Sequence, residues 1–327
     1  MTAARVQAPA ATARPTGGHS RGALAVVAAS VLWGTTGTAA TFAPGAGPLA
    51  IGAVAMGVGG LLQALFALSS IRRHRTGLLA RWPLLLMGAA AVAVYPLAFY
   101  SAMHLSGVAV GTVVSIGSAP IAAALIERLV DGQRLRRRWI VGALLGISGA
   151  AVLSFAGHGG GAAAGGDGSP WLSTAGILLG LLAGATYALY SWAAHRIIGA
   201  GIPSKAAMGA VFGLGGLLLM PVLAVTGGAL LESWTAAAVG AYMALIPMFA
   251  GYLLFGWGLG RVGASTATGI SLLETVVAAV LAVLVVGERL PAAGWLGAAV
   301  VLGSLFILGP GRTAEKQAPI PATGLRR

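Results

Sequence analysis

The chain alternates between long apolar stretches and short polar connections over nearly its whole length. Each apolar stretch is close to the roughly 17–25 residues that an α-helix needs to cross a bilayer. The pattern therefore predicts an all-α polytopic membrane protein with ten transmembrane helices. The predicted helices lie at residues 22–42, 48–70, 82–103, 107–130, 139–156, 171–194, 206–226, 235–258, 262–286 and 291–309.

Composition excludes a soluble globular domain. Of the 327 residues, 57% are hydrophobic and only 8% are charged, whereas a soluble domain carries about 25% charged residues. The net charge of +13 does not indicate nucleic-acid binding, because the basic residues lie between apolar stretches and have no domain of their own. The absence of cysteine excludes disulfides, thiolate metal sites and iron–sulfur clusters.

The distribution of lysine and arginine predicts how the helices are oriented. If ten helices alternate in direction, 19 of the 20 basic residues fall on one side, and only Arg289 falls on the other. Basic loops remain in the cytoplasm, so we predict a multi-pass protein of the cytoplasmic membrane with both termini inside. The first apolar stretch is longer than the 7–15 residues typical of a signal peptide, which favours a retained helix over a cleaved one.

The two halves of the chain resemble each other in sequence. Residues 131–135 (DGQRL), followed by Trp139, match residues 286–290 (VGERL), followed by Trp295. Each half holds five helices, an odd number, so the second half enters the membrane from the opposite side and the halves form an inverted repeat. The predicted organisation is a disordered cytoplasmic tail (1–21), a first five-helix repeat (22–156), an external Gly-rich linker (157–170), a second repeat (171–309) and a cytoplasmic tail (310–327).

Glu274 is the one acidic residue near the middle of a predicted helix. An ionisable side chain at membrane depth costs about 2.5–3.5 kcal/mol on insertion scales, which something in the protein must offset. At 100° per residue, Ser271, Glu274 and Thr275 share one small and polar stripe of the helix, opposite a bulky apolar face. We therefore predict that this stripe lines a cavity in which Glu274 binds substrate or exchanges protons. The alternative is a structural carboxyl group, hydrogen-bonded inside the helix bundle.

Further candidates for substrate binding are aromatic and hydroxyl side chains within the predicted helices: Trp33, Thr36, Tyr95, Tyr100, Ser115, Tyr187 and Tyr190. Pro96 and Pro247 fall inside the third and eighth helices, where proline can kink a helix and either provide a hinge or only shape the bundle. The five histidines are scattered without metal-ligand spacing, and no paired catalytic residues are present. We therefore predict no catalytic residue, no metal and no cofactor.

With these features the chain resembles the EamA-like family of the drug/metabolite transporter superfamily. The resemblance rests on Leu32-Trp33-Gly34, Ala119-Pro120, Leu273-Glu274 and residues 287–290 (GERL) with Trp295. It implies a ten-helix permease of a bacterial inner membrane, of a kind that often exports amino acids, related metabolites or toxic compounds. It also implies a central cavity lined by helices one to four and six to nine.

One position departs from the family pattern. The ninth helix of such proteins often carries Glu-Pro, whereas this chain has Glu274-Thr275. The sequence therefore gives no support for a kink in the ninth helix, while Pro120 supports one in the fourth.

The function predicted from the resemblance is secondary active transport across the cytoplasmic membrane. The predicted direction is export, and the predicted substrates are small metabolites such as amino acids or drug-like compounds. The chain has no nucleotide-binding loop, so ATP is not expected to drive it. The expected partners are a small-molecule substrate, membrane lipid and protons as a coupling ion, with no nucleic acid, in a monomer or a homodimer. Two alternatives stay open at this point, an integral membrane enzyme acting on lipids and a scaffold or receptor without transport.

Overall fold

A computed structural model describes residues 17–157, 170–287 and 289–308. Most of the predicted linker, most of the predicted N-terminal tail, all of the predicted C-terminal tail, and Glu288 lie outside these ranges. Within them the chain is helical and contains no β-strand.

Ten helical segments follow one another, labelled α1 to α10 in chain order. They are α1 (Gly17–Trp33 and Thr36–Ala40), α2 (Pro48–Gly52, Ala53–Val58 and Gly59–Arg73), α3 (Trp82–Ser106), α4 (Val108–Val130), α5 (Arg137–Gly157), α6 (Pro170–Gly199), α7 (Ser204–Thr226), α8 (Trp234–Met243, Ala244–Ala250 and Gly251–Val262), α9 (Ala264–Ile270, Leu273–Leu281 and Ala282–Val286) and α10 (Ala292–Leu308). Among the described residues, α1 to α9 are long and apolar enough to cross a membrane, and α10 is a shorter apolar helix.

This arrangement confirms the predicted all-α membrane fold, with small differences at the helix ends. Helix α1 begins at Gly17, so residues 17–21, predicted to belong to a disordered tail, are helical. Helix α6 continues to Gly199, beyond its predicted end at residue 194. Large apolar side chains cover the outside of the bundle, including Val225, Trp234 and Phe306, each more than 80% exposed. An exterior of this kind suits contact with lipid.

Contacts between the helices repeat in a twofold pattern. Helix α3 packs on α6 as α8 packs on α1, and α4 packs on α6 as α9 packs on α1. The pairs α2–α7, α4–α9 and α5–α10 each join corresponding helices of the two halves. Such exchange of equivalent contacts is expected of two five-helix repeats related by a pseudo-twofold axis.

Four glycines with positive φ mark equivalent places in the two repeats. Gly107 (φ 83°) and Gly263 (φ 85°) immediately precede α4 and α9, and Gly132 (φ 67°) and Gly287 (φ 80°) follow them. Glycine adopts such backbone angles without the penalty that a Cβ imposes. The second pair lies in the matching sequences at 131–135 and 286–290, so the sequence match is also a match of backbone conformation. The same 155-residue offset pairs Glu274 with Ala119.

Helix α9 is interrupted at Ser271 and Leu272, and it resumes at Leu273, one residue before Glu274. Its hydroxyl groups bond back to carbonyls of the preceding turn: Thr268 to Ala264 at 2.9 Å, and Ser271 to Thr268 at 2.7 Å. Back-bonding of this kind competes with the main-chain ladder and bends helices.

The positions of the prolines therefore do not determine which helix is interrupted. Helix α4, which contains Pro120, runs as one helix from Val108 to Val130, whereas α9 lacks proline and is broken. The sequence pattern left a kink in α9 without support from proline, and the interruption found there accompanies hydroxyl side chains that bond back to the main chain.

The two ends of the bundle differ in charge. The loops α2–α3, α4–α5, α6–α7 and α8–α9 lie at one end, here named the basic end, and carry many arginines. Loops α1–α2, α3–α4, α7–α8 and α9–α10 lie at the other end, named the open end. Counting lysine and arginine among the described residues, Arg289 is the one found at the open end.

Candidate functional site

A cavity of about 530 Å³ occupies the open-end half of the bundle. It is lined by α1, α2, α3, α4, α5 and α9, and by the loop before α10. Most of its wall is apolar, with Ile51, Met103 and Leu153 among the lining side chains. The volume falls within the roughly 300–1,000 Å³ typical of sites for small molecules.

Glu274 lies at the inner end of this cavity. It lines the large cavity and also a small adjoining one of about 20 Å³, enough for about one water molecule. Its side chain is partly buried, and its carboxylate makes no hydrogen bond or ion pair with any described residue. The structural alternative, a carboxyl group fixed by a neighbouring helix, therefore has no partner within the described ranges.

Two interrupted helices meet beside Glu274. Helix α1 breaks at Gly34 and Thr35, where the Thr35 and Thr36 hydroxyls bond to the carbonyls of Leu32 and Trp33 at 2.6 and 2.7 Å. A Cβ on Gly34 would lie 2.9 Å from the carbonyl oxygen of Glu274. Glycine thus lets the break in α1 pack directly on the backbone of α9.

An aromatic cluster closes the cavity on the side toward the basic end. Trp33 packs on Tyr252 with ring centroids 4.7 Å apart, and Tyr187 stacks on Tyr190 at 5.3 Å. The hydroxyls of Tyr190 and Tyr252 share a hydrogen bond of 2.7 Å. The indole N–H of Trp33 donates to the carbonyl of Pro247 at 2.9 Å, within a π-helical part of α8. Such π-helical turns are frequent at functional sites.

The ten predicted substrate-binding residues divide into three groups. Five line the large cavity: Trp33, Thr36, Tyr100, Glu274 and Thr275. Tyr95 and Tyr187 line the small cavity. Ser115, Tyr190 and Ser271 line neither cavity and are fully buried between helices.

The hydroxyl group of Tyr187, which lines the small cavity, has no hydrogen-bond partner among the described residues. The Tyr187 hydroxyl is buried and faces Ser271, but the two make no hydrogen bond of normal geometry. Together with Glu274 it gives the small cavity polar groups that can hold a water molecule.

Sequence reasoning missed several residues that the structure brings to the site. Tyr252 lines the small cavity; the available signal was its place five residues after Pro247, much as Tyr100 lies four residues after Pro96. Arg289, which the sequence placed on the side opposite the other basic residues, lines the large cavity.

Two further acidic residues lie at the basic end. Glu127 is only 4% exposed, and its Oε1 accepts hydrogen bonds from the main-chain N–H groups of Ala264 at 2.9 Å and Ser265 at 3.1 Å. Asp131 accepts a hydrogen bond from the Trp192 indole at 2.8 Å and pairs with Arg196. Within the described ranges, no cluster of His, Asp or Glu has the arrangement of a metal site.

Comparisons with known proteins agree with this architecture. The model of the EamA-like transporter family matches residues 20–155 and 174–309, once in each half. The chain is 33% identical over 296 residues to "Uncharacterized transporter YwfM" of Bacillus subtilis (strain 168), covering 90% of this chain and 96% of that protein. A solved crystal structure superposes with a TM-score of 0.69, covering 88% of this chain and 96% of the other. At 22% sequence identity that likeness bears on the fold alone.

Proposed function

Since the chain belongs to the EamA-like transporter family, we propose that it is a secondary transporter that exports small metabolites, such as amino acids or drug-like compounds. That it is a multi-pass membrane transporter follows from the family and from its apolar helices. The family also favours transport over an enzymatic role. The observation that carries the finer proposal is the carboxylate of Glu274 at the inner end of a cavity of about 530 Å³, where it has no hydrogen-bond or ion-pair partner among the described residues.

The orientation of the cavity is the first part of the proposal. Arginine-rich loops are retained in the cytoplasm, which supports an orientation with the basic end inside the cell and the open end outside. Both termini are then cytoplasmic, and the cavity faces the exterior of the cytoplasmic membrane. This is the state in which an exporter releases its substrate.

The preferred substrate is the second part. A lone carboxylate in an apolar cavity is costly, and a positively charged amine bound beside it offsets that cost. The rings of Trp33 and Tyr100 line the same cavity and can interact with a cation through their π faces. We therefore propose a substrate with one positive charge and an apolar body that contacts the cavity wall.

The coupling ion is the third part. A proton offsets the cost of the carboxylate as an amine does, so proton and substrate compete for Glu274. Exchange of one for the other allows a proton gradient to drive export. The tyrosine and threonine hydroxyls around the small cavity supply hydrogen-bonding groups on the path of that proton.

Transport by purified protein in proteoliposomes tests the proposal. A thermal-shift screen of amines, amino acids and sugars first identifies a substrate, and its uptake is then measured with and without an imposed pH gradient. Glu274→Gln keeps the shape of the side chain but cannot ionise, so we expect it to abolish gradient-driven transport.

The matched control is Glu232→Gln, which makes the same change at an exposed acidic residue outside the cavity. It should transport like the parent protein. Gradient-driven uptake by Glu274→Gln at the parent rate would contradict the assignment of Glu274.

A further inference from the structure

The C-terminal ends of α4 and α9 are equivalent in the inverted repeat but differ in their surroundings. The 155-residue offset pairs Glu127 of α4 with Ala282 of α9. Ala282 lines the large cavity, and so does Thr112 near the start of α4. At the open end the end of α9 is therefore separated from the start of α4 by the cavity.

At the basic end the equivalent contact is closed. Glu127 reaches from α4 to the start of α9, where one carboxylate oxygen accepts from two main-chain N–H groups, those of Ala264 and Ser265. Hydrogen bonds to an ionised acceptor are about twice as strong as neutral ones. One turn further along, Asp131 pairs with Arg196 and accepts from Trp192 on α6. Both acids thus join the first repeat to the second.

We propose that Glu127 and Asp131 form a gate, here named the acidic gate, that holds the basic end shut while the open end is open. When the repeats exchange conformations, the contact of α4 with α9 opens at the basic end and its counterpart closes at the open end. Glu127 then releases Ala264 and Ser265, and a passage opens along the end of α4.

The difference in chemistry between the ends gives the gate a direction. At the open end the counterpart of Glu127 is an alanine and that of Asp131 is a valine. Neither can accept a hydrogen bond through its side chain. The closed contact at the open end therefore lacks hydrogen bonds like those that the acidic gate makes at the basic end. The acidic gate therefore biases the resting protein toward the state with the open end accessible.

The inference rests on the proposed transport function, because a gate is useful only in a protein that opens at alternate ends. Its test does not require a substrate. The chain contains no cysteine, so a single introduced thiol can report the opening of one end through its rate of reaction with a water-soluble maleimide.

Two positions serve as reporters. Ala278 lines the large cavity, and its counterpart at the 155-residue offset, Ala123, is fully buried. Ala123→Cys therefore reports opening at the basic end, and Ala278→Cys reports opening at the open end. Measurements on protein in nanodiscs give the reagent access to both ends.

Removing the Glu127 hydrogen bonds should raise the labelling rate at one reporter only. Glu127→Ala loses both hydrogen bonds, and we expect it to raise the labelling rate at position 123 about tenfold, equivalent to about 1.4 kcal/mol. The rate at position 278 should stay unchanged or fall. Glu127→Gln retains an acceptor oxygen without the charge, so its effect should have the same direction and be smaller.

Control variants separate gating from loss of fold. Glu232→Ala removes an exposed acid outside the gate and should leave both rates unchanged. An unchanged rate at position 123 in both Glu127 variants would overturn the gate, as would equal increases at both reporters, which indicate general loosening. If Glu127→Ala does not fold, the Gln variant decides by the same criterion.

Transport measurements distinguish this inference from the proposed function. Selective labelling at position 123 in the Glu127 variants supports the gate even if no substrate is moved in proteoliposomes. Transport without that selective labelling supports the proposed function and contradicts the gate.

Discussion

Substitution of Gly34 tests whether α1 packs closely on α9 at the wall of the cavity. A Cβ added there would lie 2.5 Å from Cβ and 2.7 Å from Cγ1 of Val277, and 2.9 Å from the carbonyl oxygen of Glu274. Ordinary contacts to a Cβ lie at 3.4–4 Å. Gly34→Ala therefore requires α1 and α9 to separate by several tenths of an ångström beside Glu274, whose carboxylate is proposed to bind the substrate.

The expected loss of stability in Gly34→Ala can be compared with the effect of a control substitution at Gly37, one turn away. Overpacking of this kind costs about 1–3 kcal/mol, and the clash with a main-chain carbonyl cannot be relieved by rotating a side chain. Gly37 also lines the cavity, but a Cβ there would meet nothing within 4 Å. Gly37→Ala should be neutral or stabilise the helix by up to about 1 kcal/mol, the difference in helix propensity.

Thermal unfolding of the purified protein, followed at a fixed scan rate, compares the two variants. Gly34→Ala should unfold at a clearly lower temperature than the parent and Gly37→Ala at the same or a higher temperature. Adding Val277→Ala to Gly34→Ala removes part of the clash and should restore part of the loss. Equal unfolding temperatures for the two single variants would refute the close packing of α1 on α9.

Three further predictions concern hydrogen bonds and topology. Trp33→Phe removes the indole bond to a main-chain carbonyl of α8 and should lower stability by about 1–3 kcal/mol; an unchanged unfolding temperature would speak against that bond. Tyr252→Phe leaves the Tyr190 hydroxyl unpaired, so a double-mutant cycle with Tyr190→Phe should show a smaller combined loss than the sum of the single losses, and simple additivity would argue against the pair. Alkaline phosphatase fused after Arg327 should be inactive and after residue 161 active, and activity after Arg327 would reverse the proposed orientation.

Much of the fold could be predicted because its signals lie within single segments of sequence. Apolar length gave the ten helices, and the match of 131–135 with 286–290 gave the repeat, which reappears as the positive φ of Gly132 and Gly287. The cavity position of Glu274 followed from the polar stripe on one face of its helix. Both signals depend on local spacing, which a sequence displays directly.

The parts that could not be predicted depend on contacts between distant segments. Glu127 precedes Arg128 near a helix end and resembles an ordinary surface acid, yet its partners lie 137 and 138 residues away. Ser115 was predicted to bind substrate, but it packs against Gly180 of α6 and lines neither cavity. Helical periodicity identifies a small face without identifying the helix that packs on it.

The pairing of Glu274 with Ala119 makes the two repeats unequal in charge at equivalent positions. In a symmetric dimer of five-helix chains, every carboxylate would appear twice, once in each copy. Because both repeats are joined in one chain, an acid can occupy one position while alanine occupies its twin. A single carboxylate thereby becomes available. Under the proposed mechanism, in which Glu274 binds either a proton or the substrate, exchange of one proton for one monovalent cation is electrically silent.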